Sequence, residues 1–122
     1  MREITTHRVN PANDKLTLQV IDEPGSGGAQ HLYEVSGYKG LSGSDSVLIE
    51  FQNGPIAEAG VNGVTHEVLL AILIDRLEAF QAGPFANRFN AAALGHLQEA
   101  QRVLFERTRE RMGRGVEGTH QK

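Results

Sequence analysis

Cysteine is absent from the 122 residues. A disulfide framework, a thiolate metal site and a cysteine nucleophile are therefore all excluded. Long apolar runs are missing too. The longest, Val68 to Ile74, is far short of a bilayer span. The first ten residues, MREITTHRVN, carry no apolar core of the kind a secretory signal needs. Basic charge is scarce overall, with a formal net charge of −3, which argues against a general DNA- or RNA-binding role. The five histidines, His7, His31, His66, His96 and His120, stand singly with no His-x-His or His-x-x-x-His pair. Metal sites need ligands clustered on one face, so no metal is expected. No Gly-x-Ser-x-Gly elbow is present, and no pair of carboxylates stands out. Binding is the better expectation than catalysis.

The length fits a single domain over residues 1–122. Its first half, 1–63, reads as a β-meander and its second, 64–122, as a helical hairpin. Residues 1–14 read as an arm followed by a turn at Asn10, Pro11, Asn13 and Asp14. Leu16, Leu18 and Val20 alternate with Thr17 and Gln19, a half-buried strand. His31, Tyr33 and Val35 share one face of a second strand, and Val47, Ile49 and Phe51 one face of a third. The links are too short for crossover helices, so the strands must pair antiparallel. The glycines at 25, 27 and 28 read as a hairpin loop. They do not make a P-loop, because no Gly-Lys-Ser/Thr and no helix follow.

Thr65 is a plausible N-cap for a helix over Thr65–Gln81. Leu69, Leu70, Leu73, Leu77 and Phe80 give it a broad apolar face that Val68 and Ile72 widen, so it should be well buried, either against the sheet or in a partner chain. A tight link, Ala82-Gly83-Pro84, leads to a second, long helix. Phe89, Ala93, Leu97, Ala100 and Leu104 form its expected core stripe, with Pro84 near its start and Gly113 and Gly115 just past its end. The short link makes the helices antiparallel neighbours. The fold class is then α+β: a small antiparallel sheet followed by a C-terminal antiparallel helical hairpin. So much apolar helix surface on so small a chain points to a homo-oligomer.

Charge is uneven along the chain. Residues 1–63 hold four Lys/Arg against eight Asp/Glu, whereas residues 102–122 hold six against three. Arg102, Arg107, Arg109 and Arg111 would suit the negative end of a helix without any ligand. They would equally suit a small anion. At the hairpin turn, Phe80 offers a face on which a base can stack. Asn90 can meet the edge of adenine, and Arg88 has forked donors that match phosphate. Phe80 as a last core residue and Asn90 as a helix-start residue is the alternative. Asn90 and Arg107 lie about 26 Å apart along one helix, too far to share a small ligand within one copy. Two copies about a two-fold axis could bring them together.

The stretch Phe80-Gln81-Ala82-Gly83-Pro84-Phe85 is followed by Arg88, Asn90, Ala93-Leu94, Leu97, Glu99-Ala100, Leu104, Arg107-Thr108, Arg111 and Arg114-Gly115-Val116-Glu117-Gly118-Thr119. This pattern resembles the helical hairpin of phage signal-sponge proteins, the Thoeris anti-defence proteins and their anti-CBASS relatives. It covers about half the chain. The β-rich first half is similar to the Thoeris type. Asn87 and Phe89 stand where that pattern usually carries Cys and Glu.

The resemblance implies a protein that binds cyclic ADP-ribose isomers and holds them uncleaved, without cofactor or catalytic residue. Some members also take cyclic di- or trinucleotides at separate sites, and they assemble as dimers or hexamers. Carried over, Phe80 is the stacking aromatic, Asn90 the base or ribose reader and Arg107 a phosphate contact from a neighbouring copy. Arg88, Arg111, Arg114 and Thr119 follow from charge and position. The competing expectations are an enzyme that degrades such signals and a phage structural or interaction module. The place of action implied is the cytoplasm of the infected bacterium, with no membrane and no nucleic-acid partner.

Overall fold

The alternating stretches of the first half pair as an antiparallel meander. The computed structural model describes residues 1–122, the side chain of Ser26 excepted. The architecture is α+β. Strands β1 (Arg2–Ile4), β2 (Thr17–Val20), β3 (Leu32–Ser36) and β4 (Ser46–Glu50) form one sheet in the order β1-β2-β3-β4. Val20 stands opposite Arg2 on one side and Tyr33 on the other, and Tyr33 stands opposite Ile49. The chain divides into two compact units, Met1–Gly63 and Val64–Lys122.

Strand β1 corrects the expectation of a bare arm. Three residues are too few to show an alternation, and Arg2 and Glu3 are exposed, as an edge strand permits. A one-turn helix, α1 (Pro11–Asp14), follows. Asn10 caps it, its side-chain oxygen accepting from the backbone N–H groups of Ala12 and Asn13 at 2.8 and 3.1 Å. Another single turn, α2 (Ile56–Ala59), lies in the connection after β4. Val20 is fully buried, and Tyr33 packs edge-on against Phe51 with ring centroids 5.5 Å apart. Gly37 has φ +92°, and a Cβ there would sit 2.1 Å from the Lys15 carbonyl oxygen. Glycine is required on both counts.

The glycine loop between β2 and β3 is held at its base. The Asp22 carboxylate accepts from the backbone N–H of His31 at 2.9 Å and from that of Leu32 at 3.0 Å. Burial pushes the Asp22 carboxyl pKa up. The backbone donors and the nearby His31 outweigh this and hold it below its ordinary value of 3.8. The sign of the pH effect follows. Stability lent by Asp22 is complete above the ordinary carboxyl value and is lost as pH falls through the lower folded value. Thermal melts taken from neutral into strong acid should show this loss, and Asp22→Asn should flatten it. Superimposable acid limbs for the two proteins would mean that Asp22 is no clamp.

In the second unit, α3 (His66–Ala82) begins at the expected cap. Thr65 Oγ1 accepts from the Val68 N–H at 3.2 Å. Helix α4 (Arg88–Gly113) packs against α3 as a hairpin. The positions withdrawn from solvent on α4 are Asn90, Leu94, Leu97, Gln101, Leu104, Thr108 and Arg111. On α3, Glu67, Leu70, Ile74, Leu77 and Gln81 are withdrawn in the same rhythm, with Leu69 half-buried beside them. Steps of four and three on both helices are the repeat of a two-helix coiled-coil seam.

This corrects the expected stripe. Leu97 and Leu104 do face the seam, but Phe89 is 70% exposed, and Ala93 and Ala100 are exposed too. Two apolar rows run side by side down α4. Periodicity favours the row with the largest ring, whereas packing selects the row that keeps a 3.5-residue register with α3. Of the two places expected to bury α3, a single copy of the chain supplies little cover. Ile74 is its one buried residue, and Val68, Ile72 and Leu73 are exposed. Both helices thus carry a second row of exposed apolar side chains.

The helix ends also differ from expectation. Pro84 lies in the turn, not in the helix. Asn87, not anticipated as a cap, starts α4 by accepting from the Asn90 N–H at 2.8 Å. Gly113 closes the helix instead of following it. Gly115, at φ +73°, then turns the chain, with its N–H donating to the Met112 carbonyl and that of Val116 to the Arg111 carbonyl. That pair of bonds is a Schellman ending.

Candidate functional site

The closed end of the hairpin is built around an amide clasp. Gln81, at the foot of the seam on α3, accepts from the Asn87 N–H at 3.0 Å. It also donates to the Asn87 carbonyl at 3.1 Å. Asn87 in turn donates to the Phe85 carbonyl at 3.0 Å. One side chain therefore ties the last turn of α3 to the first turn of α4. Phe80 and Asn90 flank this clasp at fixed places.

Phe80 is 37% exposed, so it is not sealed as a core residue. The Arg76 guanidinium lies over its ring at 5.2 Å from the centroid. Asn90 is half-buried on the seam side, and its backbone N–H is taken by the Asn87 cap. Its side-chain amide bonds to no other described residue. Arg88 is exposed and lies over the Phe89 ring at 4.6 Å. The turn thus presents rings, an uncommitted amide and unpaired guanidinium groups together. An aromatic face, an amide edge and cations are what a nucleotide's base and phosphate need.

The arginines of α4 sort into two sets. Arg102 is taken by Glu99 and Glu106, and its hydrogen bond holds the Glu99 carboxyl below the ordinary range. Arg114 pairs with Glu110 at 2.5 Å. Arg111 is buried, at 6% exposure, and nearly all its donors are used inside the chain. Its Nε meets Glu117 at 3.0 Å, and its two terminal nitrogens reach the carbonyls of Val116, Thr119 and Gln121. The Thr119 hydroxyl donates to the Val116 carbonyl at 2.5 Å. These residues fold the tail back on the end of α4. Arg107 and Arg109 are the opposite case, exposed and with no ion pair among the described residues.

The structure therefore gathers Phe80, Arg88 and Asn90 at one end of the hairpin and leaves Arg107 near the other, on the same unbroken helix. Arg111, Arg114 and Thr119 are at the far end as well, engaged within the chain. Two members of this surface escaped the sequence. Asn87 was legible in principle, since a polar cap residue three positions before Asn90 is a helix-start signal. Arg76 could have been found by its spacing of four from Phe80. Among the described residues, no three His, Asp or Glu side chains are placed to hold a metal ion. Nor, among the described residues, is any helix long and apolar enough to cross a membrane.

Comparison with known proteins identifies the family of the hairpin. A family model described as the Acb2/Tad1 hairpin domain matches residues 44–104. The chain is also similar to "Thoeris anti-defense 1" of Bacillus phage SBSphiJ7. It is 43% identical to that protein over 114 residues, which span 93% of this chain and 77% of the relative.

Proposed function

The chain belongs to the phage Thoeris anti-defence family that carries the Acb2/Tad1 hairpin, and from that premise we propose that it is a sponge for nucleotide immune signals. Its ligands are cyclic ADP-ribose isomers, with cyclic di- or trinucleotides as further ligands at separate sites. It holds them without cleavage in the cytoplasm of the infected host, so that the effector downstream receives no signal.

What supports this reading most is the division between committed and uncommitted polar groups. Phe80, Asn90, Arg88 and Arg107 keep free faces and donors, whereas Arg111, Arg114 and Thr119 are tied within the chain. In this proposal the first four meet the ligand, and the other three shape the tail. Phe80 stacks on the base, Asn90 reads the base or ribose, and Arg88 meets a phosphate. Arg107 reaches the same ligand from a second copy, because about 26 Å of helix separates it from Asn90. The open apolar row, with Val68, Ile72, Leu73 and Phe89 exposed, supports assembly as a dimer or a hexamer.

Sequestration makes modest demands on chemistry and strict ones on affinity. The sponge must outcompete the effector, which calls for preorganised donors shielded from water. A pocket closed by two copies provides that shielding. The test is direct. A cyclic ADP-ribose isomer is incubated with excess protein, the free pool is measured, and the protein is then heat-denatured. Depletion followed by release of intact ligand is the expected result. Recovery of a converted product would make it an enzyme, and an undepleted pool would leave an assembly module.

A further inference from the structure

Arg76 is an exposed cation in an apolar stretch of α3. Its neighbours three and four positions away on α3 are Ile72, Leu73, Ala79 and Phe80, all apolar. Of these, Ile72 is 59% exposed and Leu73 47%. No carboxylate pairs with the guanidinium among the described residues. Asp75 lies one position away and Glu78 two, spacings that turn side chains to different sides of a helix. On and just past α4, Arg102 has two carboxylates and Arg114 one, whereas Arg88, Arg107 and Arg109, like Arg76, pair with none among the described residues. A salt bridge therefore does not account for Arg76, and a surface helix position could be filled by any polar residue. What it does contact is one face of the Phe80 ring, at 5.2 Å.

We infer that Arg76 is a further ligand-binding residue of the site proposed above. The guanidinium backs one face of Phe80 and so fixes the plane of the ring, leaving the opposite face for a base. Its N–H groups, unspent within the chain, extend past the ring toward the anionic part of the same ligand. Cation and ring then act as one unit. The cation stacks on the ring through its quadrupole, and its charge answers the phosphate that accompanies the base. The chemistry recognised is that of a purine ribonucleotide with a nearby phosphate. This inference rests on the function proposed above.

Titration calorimetry with a cyclic ADP-ribose isomer, at several salt concentrations, tests it in four proteins. Arg76→Met keeps an apolar backing for the ring and removes the charge. It is expected to weaken binding by about five- to twentyfold and to flatten the decline of affinity with salt. Arg76→Lys, which restores a cation, is expected to recover the salt dependence and most of the affinity. Phe80→Ala serves as the control for the site itself. If Arg76→Met binds like the wild type with the same salt dependence, while Phe80→Ala fails, Arg76 is no ligand residue and the site stands. If the wild type takes up no ligand, the proposed function and this inference fall together.

Discussion

Phe80→Ala is expected to cut uptake of a cyclic ADP-ribose isomer by about ten- to a hundredfold. That is the range observed when a stacking aromatic is removed from beneath a base. Asn90→Ala is expected to do comparable damage, because a well-placed amide contact to a base edge contributes about 1–3 kcal/mol. The double variant should approach complete loss. None of this should disturb the fold. Phe80 is 37% exposed, and the Asn90 side chain makes no hydrogen bond to another described residue, so neither truncation breaks a bond the hairpin relies on. Calorimetry for affinity and circular dichroism for the fold check both halves of the expectation. Wild-type affinity in both variants would move the site away from the hairpin turn. Arg107 supplies an independent check on the shared pocket. A mixed oligomer of Asn90→Ala and Arg107→Ala copies contains some pockets built entirely from intact residues, so mixing two inactive proteins should restore partial uptake.

Arg111→Met should act on stability instead. It removes a buried guanidinium that holds Glu117 and three backbone carbonyls. Orphaning buried acceptors and one side of an ion pair costs about 2–4 kcal/mol. The lower part of that range is the better figure if Glu117, whose side chain is 38% exposed, simply turns to water. Urea denaturation measures the loss, and limited proteolysis should show earlier cutting beyond Gly115. Ligand affinity of the folded fraction should change much less than stability does. A variant with unchanged midpoint and sharply reduced affinity would reverse the assignment and place Arg111 in the ligand set.

These two variants separate residues that look alike in sequence. Arg107 and Arg111 sit one helical turn apart in the same basic stretch, though only Arg111 falls in the last turn of α4, where a cation meets the helix dipole. One turn of helix changes the face only slightly, yet Arg111 lies on the seam side and Arg107 does not. The tail decides the rest. Gly115 reverses the chain at φ +73°, and the carbonyls that follow converge on Arg111. Arg107, four residues earlier, is out of their reach and keeps its donors.

Local rules reach as far as local physics does. Alternation every second residue makes β2, β3 and β4, and their short links force antiparallel pairing. Thr65 and the apolar face after it make α3, and the brief link after it turns α4 back alongside. Candidate ligand groups at the turn follow from the same spacing, because Phe80 and Asn90 must lie on either side of it. The family could be named from the hairpin's own residues. All this is determined by the sequence alone, since each feature depends on neighbours a few positions away.

Tertiary structure decided what depends on distant choices. β1 exists because β2 offers it an edge, although three residues carry no period. Of two adjacent apolar rows on α4, packing with α3 took the one through Leu94, Leu97, Leu104 and Arg111, and left Phe89 outside. Ion pairing and a tail reversal separated the spent arginines from Arg76, Arg88 and Arg107. The common reason is competition. A side chain's partner is whichever group the fold delivers first, and no pattern within one segment records what the rest of the chain will bring.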